Sequence, residues 1–340
     1  MIAEEIRTVP DAVLVGRLQR EYILPAAAPA RLDGLGGNLA YAAAAFASWG
    51  RQAGLVSRVS ADFPMDQLTR LESLGFFLDG VHAVSEPLDS RYFVAYGEGN
   101  KTYFDNPITH FAERQLPFPP ELFGYQPRRK YCSKTDYESS SFRVTDMPRL
   151  FLEAKVAHVC PIDFISHKIL PSVLKAGMIQ TLTMRACSCY MDPIFWEDIR
   201  GLISDVTVFL MTDFQALKLF QGRSVDLWEI AEHLAGYGPE AVLVHTGDGS
   251  TYLYDRMSHE RWIVPAYRAH ISDPTGRLDA FDGGFLAGFR QASEPLEAAL
   301  CGKISETVAG EGTGPYFSLE CLPGLKEMRL QVLRQQVITA

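Results

Sequence analysis

Cysteine is scarce and poorly spaced for metal binding. The chain has six cysteines in 340 residues, at 132, 160, 187, 189, 301 and 321. No spaced pair of CxxC motifs occurs among them, which excludes the common structural zinc frameworks and leaves free thiols as the expectation. Cys187 and Cys189 form a CxC of the kind that can bind metal or sense oxidants, but no companion His/Cys motif stands near it. Positive charge is in deficit: 32 Lys and Arg against 41 Asp and Glu give a net charge of −9. The concentrated basic surface that nucleic acid requires is therefore not expected. No apolar run approaches bilayer length, and the opening MIAEEIRTVPDAVLVG is acidic where a secretory leader is basic. A cytoplasmic protein with no membrane partner is the expectation. Internal repeats are also lacking.

What is present is the composition of an ordinary globular protein, 47% hydrophobic and 21% charged, long enough for one large α/β domain over 1–340. From residue 150 onward, β-branched runs alternate with amphipathic stretches, the order that produces parallel strands joined by crossover helices. Strands are expected at 156–159, 179–183, 206–210 and 241–244. Helices are expected at 167–176, after Pro193, and at 213–220 and 227–235.

The first third has a different texture. Strands are expected at 12–15 and 53–56, and an alanine-rich helix over 38–48 closed by Gly50. The aromatic runs 90–96 and 101–104, separated by Gly97-Glu98-Gly99-Asn100, read as a hairpin. A hairpin interrupting βα units suggests a small β lid, with strands within about 12–30 and 88–106. The polar stretch 117–147, with its prolines, its Arg128-Arg129-Lys130 run and its serines, reads as an exposed, mobile insertion.

The segment carrying most chemistry is Asp273-Pro274-Thr275-Gly276-Arg277-Leu278-Asp279-Ala280-Phe281-Asp282-Gly283-Gly284-Phe285, a turn running into an amphipathic helix. The free amides and dipole of a helix start favour a phosphate, and a carboxylate in that first turn can take a proton from an attacking hydroxyl. This segment resembles the C-terminal signature of the ribokinase/PfkB carbohydrate kinase family, D-x-T-G-A-G-D-x-F-x-G-G-F. At the other end Gly34-Leu35-Gly36-Gly37-Asn38 and the helix LAYAAAAFASWG resemble the family's N-terminal signature. A dinucleotide fingerprint is the competing reading of those glycines, but it needs glycine where Leu39 stands and a strand where ARLD stands. Capping and close packing would explain the glycines alone, not the two signatures together.

The resemblance implies a doubly wound, mostly parallel sheet flanked by helices, with a β lid over a sugar. It implies ATP and Mg²⁺ as cofactors and a small sugar or nucleoside as partner. Asp279 takes the position of the catalytic base. Gly276, Arg277 and Leu278 take that of the anion hole, where the family has Gly-Ala-Gly, so a bulky side chain replaces the second glycine. Glu21, Asp33, Gly36, Gly37 and Asn38 fall on the substrate side, Glu21 being one methylene longer than the family's Asp. Thr212, Gln215, Thr246, Gly247 and Lys303 fall on the nucleotide side. The family's N-x-x-E motif aligns with Thr212-Asp213-Phe214-Gln215, which loses its final carboxylate and leaves Asp213 as a substitute metal ligand. Arg185 stands where an Asp is common, and His245 reads as a strand residue. Two functions follow: an ATP-dependent kinase of a sugar or nucleoside hydroxyl, or a pseudokinase keeping the pocket for a binding role, motivated by Leu278, Gln215 and Arg185. Aromatic lid strands with unpaired edges would suit a homodimer.

Overall fold

The computed structural model describes residues 8–97, 101–127, 132–292 and 294–340. The expected turn at 98–100, the basic run 128–130 and the acidic first seven residues lie outside them.

The strands, in chain order, are β1 (Ala12–Val15), β2 (Gln19–Leu24), β3 (Arg31–Gly36), β4 (Ala53–Ser60), β5 (Phe77–Val84), β6 (Arg91–Tyr96) and β7 (Thr102–Tyr103). They continue with β8 (Val156–Val159), β9 (Thr181–Arg185), β10 (Val208–Thr212), β11 (Ala241–His245), β12 (Thr251–Asp255), β13 (Glu260–Val264) and β14 (Ile338–Thr339). The helices are α1 (Asn38–Ala47), α2 (Met65–Ser73), α3 (Pro107–Glu113), α4 (Phe164–Lys175) and α5 (Trp196–Ile203). After them come α6 (Asp213–Leu219), α7 (Leu227–Ala235), α8 (Arg277–Ala292), α9 (Pro295–Glu311) and α10 (Leu325–Arg334).

One large sheet runs β14-β13-β12-β11-β10-β9-β8-β1-β4-β5, and a second, small one runs β3-β2-β6-β7. From β11 to β5 every pairing in the large sheet is parallel. The strands β1, β8, β10 and β11 are short apolar runs without alternation, as strands covered by helices on both faces must be. The antiparallel edge β12-β13-β14 closes one side.

Helix α1 is alanine-rich because it is packed on several sides at once, between the sheet and α8. A Cβ on Gly283 would lie 1.9 Å from the Ala42 carbonyl oxygen, so α8 meets α1 backbone to backbone. Gly284 performs the same service toward α9, where its Cβ would lie 2.2 Å from Ser305 Oγ. The Gly283-Gly284 pair thus fixes where the start of α8 points.

Three strands of the small sheet, β2, β6 and β7, fall within the stretches 12–30 and 88–106 where lid strands are expected. Ala12–Val15 sits in the middle of the large sheet, paired with both β4 and β8, because all four of its residues are apolar and buried. The lid uses β2, β6 and β7, with β3 added at its edge. The 117–147 stretch is anchored at both ends. Leu122 and Tyr125 pack with Phe93 and Tyr22 beneath the small sheet, while Phe142 and Met147 join the main core. Among the described residues no helix is long and apolar enough to cross a membrane.

Candidate active site

Asp273 opens the signature turn by accepting from the Thr275 amide at 2.9 Å, and the Thr275 hydroxyl meets Tyr96 Oη of the small sheet at 2.9 Å. Gly276 then takes φ +70°. Any side chain there would be strained, and its Cβ would fall 2.2 Å from the ring of Tyr41. Helix α8 begins at the next residue, so the first-turn amides of Arg277, Leu278 and Asp279 have no acceptor within the helix. Leu278 is already helical: among the described residues those other than glycine with positive φ are Asp33, Asn106, Gln115 and His259. The departure from glycine at 278 therefore carries no backbone penalty.

Asp279 is half-buried in this first turn. Burial pushes its carboxyl up to about 7, Asp282 adding to the rise and Arg185 opposing it. Asp282, one turn along the same face, is fully buried and gripped by Arg185 through Nε and Nη2, both at 2.5 Å. His158 Nε2 lies 3.4 Å from the same carboxylate. Burial alone would raise Asp282, but Arg185 and His158 outweigh it and hold this carboxyl below its usual range. The two aspartates are thereby driven apart, one kept ionised and the other near neutrality, the arrangement that separates a structural charge from a proton acceptor.

Arg185 Nη2 also donates to His245 Nε2 at 3.0 Å. Since guanidinium can only donate, His245 must carry its proton on Nδ1, which faces Thr251 Oγ1 at 3.0 Å. Burial holds His245 neutral by lowering its pKa well below the ordinary value, with Arg185 reinforcing the effect. His245 is thus a strand residue that positions Arg185.

The remaining expected site residues fall into separate groups. Arg277 turns away from the helix start and pairs with Glu306 at 2.9 Å. Glu306 also holds Lys303 at 2.7 Å, and Lys303 Nζ donates to the Gly249 carbonyl at 2.9 Å. Lys303 is 2% exposed, and its charge is answered inside the α8–α9 packing. Thr212 and Gln215 form a reciprocal cap at the start of α6: the Gln215 amide donates to Thr212 Oγ1 at 3.2 Å, and the Thr212 amide to Gln215 Oε1 at 2.9 Å. Gln215 Nε2 in addition donates to the Ala186 carbonyl at 3.2 Å and to Ser188 Oγ at 2.8 Å. A carboxylate could not donate to the Ala186 carbonyl, so glutamine here has a local cause. Asp213 accepts from the Gly247 amide at 2.9 Å and fixes the turn after β11. Thr246 Oγ1 in that turn reaches Asp248 at 2.6 Å.

Under the lid, Glu21 is buried and accepts from the Gly37 amide at 2.7 Å, from Tyr41 Oη at 3.0 Å, and from Arg31. Burial raises its pKa, and Arg31 only partly offsets that. Gly36 leaves the room: a Cβ there would overlap the Glu21 carboxylate. Asn38 ties loops together, accepting from the Arg17 amide at 2.8 Å and donating to the Pro161 carbonyl at 2.7 Å. Asp33 is turned to Arg20, bound at 2.7 and 2.8 Å. Glu21, Gly36, Gly37 and Asn38 therefore cluster, with Asp33 on the lid's other side chains. Residues that the sequence reading passed over are Arg31, Tyr41, Tyr96, His158 and Asp282. Of these, Asp282 alone had a visible signal, its i+3 spacing from Asp279 on one helix face.

A cleft of about 910 Å³ opens at the C-terminal ends of β1, β8, β9 and β10, lined among others by Arg17, Asp163, Ser188 and Phe214. Crevices at that edge are where open α/β sheets bind ligands. Asp279 does not line this cleft; Arg185 at the end of β9 and the Gln215–Ser188 bond connect the two. Among the described residues there is no group of three or more His, Cys, Asp or Glu side chains able to hold a metal.

No family model matches the chain. It is 25% identical over 272 residues to the cytidine kinase of Thermococcus kodakarensis, covering 78% of this chain and 83% of that one. Among solved structures it is similar to a putative ribokinase II of E. coli in complex with ATP and Mg²⁺, with a TM-score of 0.69, 16% identity and coverage of 96% and 99%. It is also similar to the nucleoside kinase of Burkholderia thailandensis in complex with inosine, with a TM-score of 0.68, 16% identity and coverage of 95% and 98%. The chain has the ribokinase-like fold.

Proposed function

We propose that the protein is an ATP-dependent phosphotransferase acting on a hydroxyl of a sugar or nucleoside. The observation that carries this reading is the pairing, on one helix turn, of a carboxyl raised to about 7 at Asp279 with the acceptor-less amides that follow Gly276. The cytidine kinase likeness agrees with it.

Asp279 near neutrality can remove the proton from the attacking hydroxyl without being a weak base, since a catalytic group works best with a pKa near the operating pH. The amides of 277–279 supply fixed donors where negative charge gathers on the phosphoryl oxygens. Asp282, locked by Arg185, stays charged and keeps Asp279 basic. The cluster of Glu21, Gly37 and Asn38 would orient the acceptor under the lid, with Tyr96 joining lid to signature turn through Thr275.

The donor set fits the phosphate end of a nucleotide at the α8 start, with the turn at Thr246 and Gly247 on the same side. ATP, when bound, supplies the transferable phosphoryl group, and Mg²⁺ neutralises its charge. Magnesium commonly keeps most of its waters and is carried on phosphates with one or two carboxylates. Asp213 accepts from the Gly247 amide with one carboxylate oxygen and keeps further lone pairs that could serve as a ligand.

The three departures that motivated a pseudokinase each have a local account: Leu278 is helical, Gln215 completes a cap, and Arg185 is neutralised by Asp282. The test is Asp279→Asn, with ATP binding followed by calorimetry and turnover by ADP release. Binding retained with turnover reduced at least about 100-fold is expected. Unchanged turnover would exclude Asp279 as the base.

A further inference from the structure

Three of the six cysteines meet at one place although the sequence scatters them. Cys187 and Cys189 follow β9, Cys132 comes from the long connection before β8, and all three line the 910 Å³ cleft. Cys187 and Cys189 are hydrogen-bonded sulfur to sulfur at 3.2 Å, and Cys132 neighbours Cys189 on the same cleft wall. Cys189 is therefore the common neighbour. Cys132 is the most exposed of the three, and its sulfur accepts from the amide of Phe164, the first residue of α4. A thiolate at a helix start is stabilised by that amide and by the helix dipole.

We propose that Cys132 and Cys189 form a peroxide-responsive modification site on the rim of the cleft, Cys132 being oxidised first and Cys189 resolving it as a disulfide. The two thiols and one hydroperoxide molecule balance. The Cys132 thiolate attacks the O–O bond, an S–O bond forms, and water leaves after taking up a proton. The Cys189 sulfur then attacks the sulfenic sulfur, the S–S bond forms as the S–O bond breaks, and the departing hydroxide takes the Cys189 proton to leave as a second water. Each sulfur loses one electron, and both peroxide oxygens are reduced.

The acid–base surroundings agree. The contact with Cys189 holds the pKa of Cys132 and Cys187 below the ordinary cysteine value, while its place between the two sulfurs pushes Cys189 up. Cys132 is the reactive thiol because it is the one the solvent reaches. A bond between Cys187 and Cys189 would close a ring across a single intervening residue, a poor match to relaxed disulfide geometry. Linking Cys132 to Cys189 instead joins two segments at the cleft rim, the long connection and the loop after β9. Ser188 of that loop is held by Gln215, so the crosslink would register at the α6 cap.

The test needs no substrate and stands apart from the kinase reading. The reduced full-length chain is treated with hydrogen peroxide, alkylated, digested with trypsin and mapped by mass spectrometry. Cleavage after Lys130 and Lys134 releases Cys132 in peptide 131–134, and cleavage after Arg185 and Arg200 releases Cys187 and Cys189 together in peptide 186–200. The expected result is a dithiothreitol-sensitive link between these peptides, with fragmentation placing it on Cys189. Cys189→Ser should lose the link and accumulate a dimedone adduct on Cys132. The proposal is overturned if peptide 131–134 stays fully alkylated, if the bond closes within peptide 186–200, or if Cys132 oxidises no faster than Cys321. The wild-type map decides the matter even if a variant fails to fold.

Discussion

Replacing Asp279 by asparagine should make the protein inactive and, at alkaline pH, more stable. The ordinary carboxyl value of 3.8 is raised to about 7 in the folded chain, mainly by burial. At about 1.4 kcal/mol per tenfold change in proton affinity, that rise corresponds to about 4 kcal/mol. Asp279 is half-buried rather than sealed, and solvent screening brings the expected figure to about 2–4 kcal/mol. The sign follows from proton linkage. Below pH ~4 folded and unfolded chains both hold the proton, so the group contributes nothing. Between ~4 and ~7 the folded chain retains a proton that the unfolded chain has released, so stability falls as pH rises. Above ~7 the folded chain carries the charge and the whole cost is present. The asparagine amide does not titrate, so the advantage of Asp279→Asn over wild type should be about a third of its full size at pH 5 and reach its full size by pH 8. Urea unfolding followed by tryptophan fluorescence at pH 5, 6, 7 and 8 measures it directly. An advantage independent of pH, or one that shrinks as pH rises, would refute the reasoning. Turnover by the wild type should fall as pH drops through ~7, because the base must be ionised.

Arg185→Met strands Asp282 without its main partner and should cost about 3–5 kcal/mol in urea unfolding, while the double variant with Asp282→Leu should recover a large part of that; equal losses in both would count against the pair. Gln215→Glu loses the donor to Ala186 and Ser188 and should lower stability by about 1–3 kcal/mol at neutral pH, read as a shift of the unfolding midpoint. Tyr96→Phe removes the 2.9 Å bond between lid and signature turn; it should raise KM for the acceptor several-fold with a smaller change in kcat, and a pure kcat loss would contradict a positioning role.

Much of the fold was legible because its elements carry local signals. The helix Leu227–Ala235 agrees with expectation at both ends, having an Asp226 cap and a glycine stop, and most of the parallel strands fall within two residues of where β-branched runs placed them. A short apolar run such as Ala12–Val15 does not announce its partners; only pairing with β4 and β8 puts it at the centre. In the site, the turn at Gly276 and the helix start holding Asp279 were legible from the local turn-to-helix pattern, while the roles expected of them came from the family resemblance. The Arg185–Asp282 pair joins positions 97 residues apart, and Arg277 finds Glu306 on α9; no local pattern encodes such meetings. The same applies to Cys132, whose neighbours in space come from the far side of β8. Leu278 looked obstructive as a bulky residue in place of glycine, because the sequence alone does not show that its backbone is helical.

The most direct measurement is ADP release with ATP and Mg²⁺ across a panel of sugars and nucleosides, with cytidine and inosine among them, comparing the wild type with Asp279→Asn. Acceptor-dependent ADP release by the wild type, absent from the variant, is the predicted result. ATP binding without acceptor-dependent release from any member of the panel would contradict the phosphotransferase account and favour a protein that keeps the ribokinase-like cleft for binding alone.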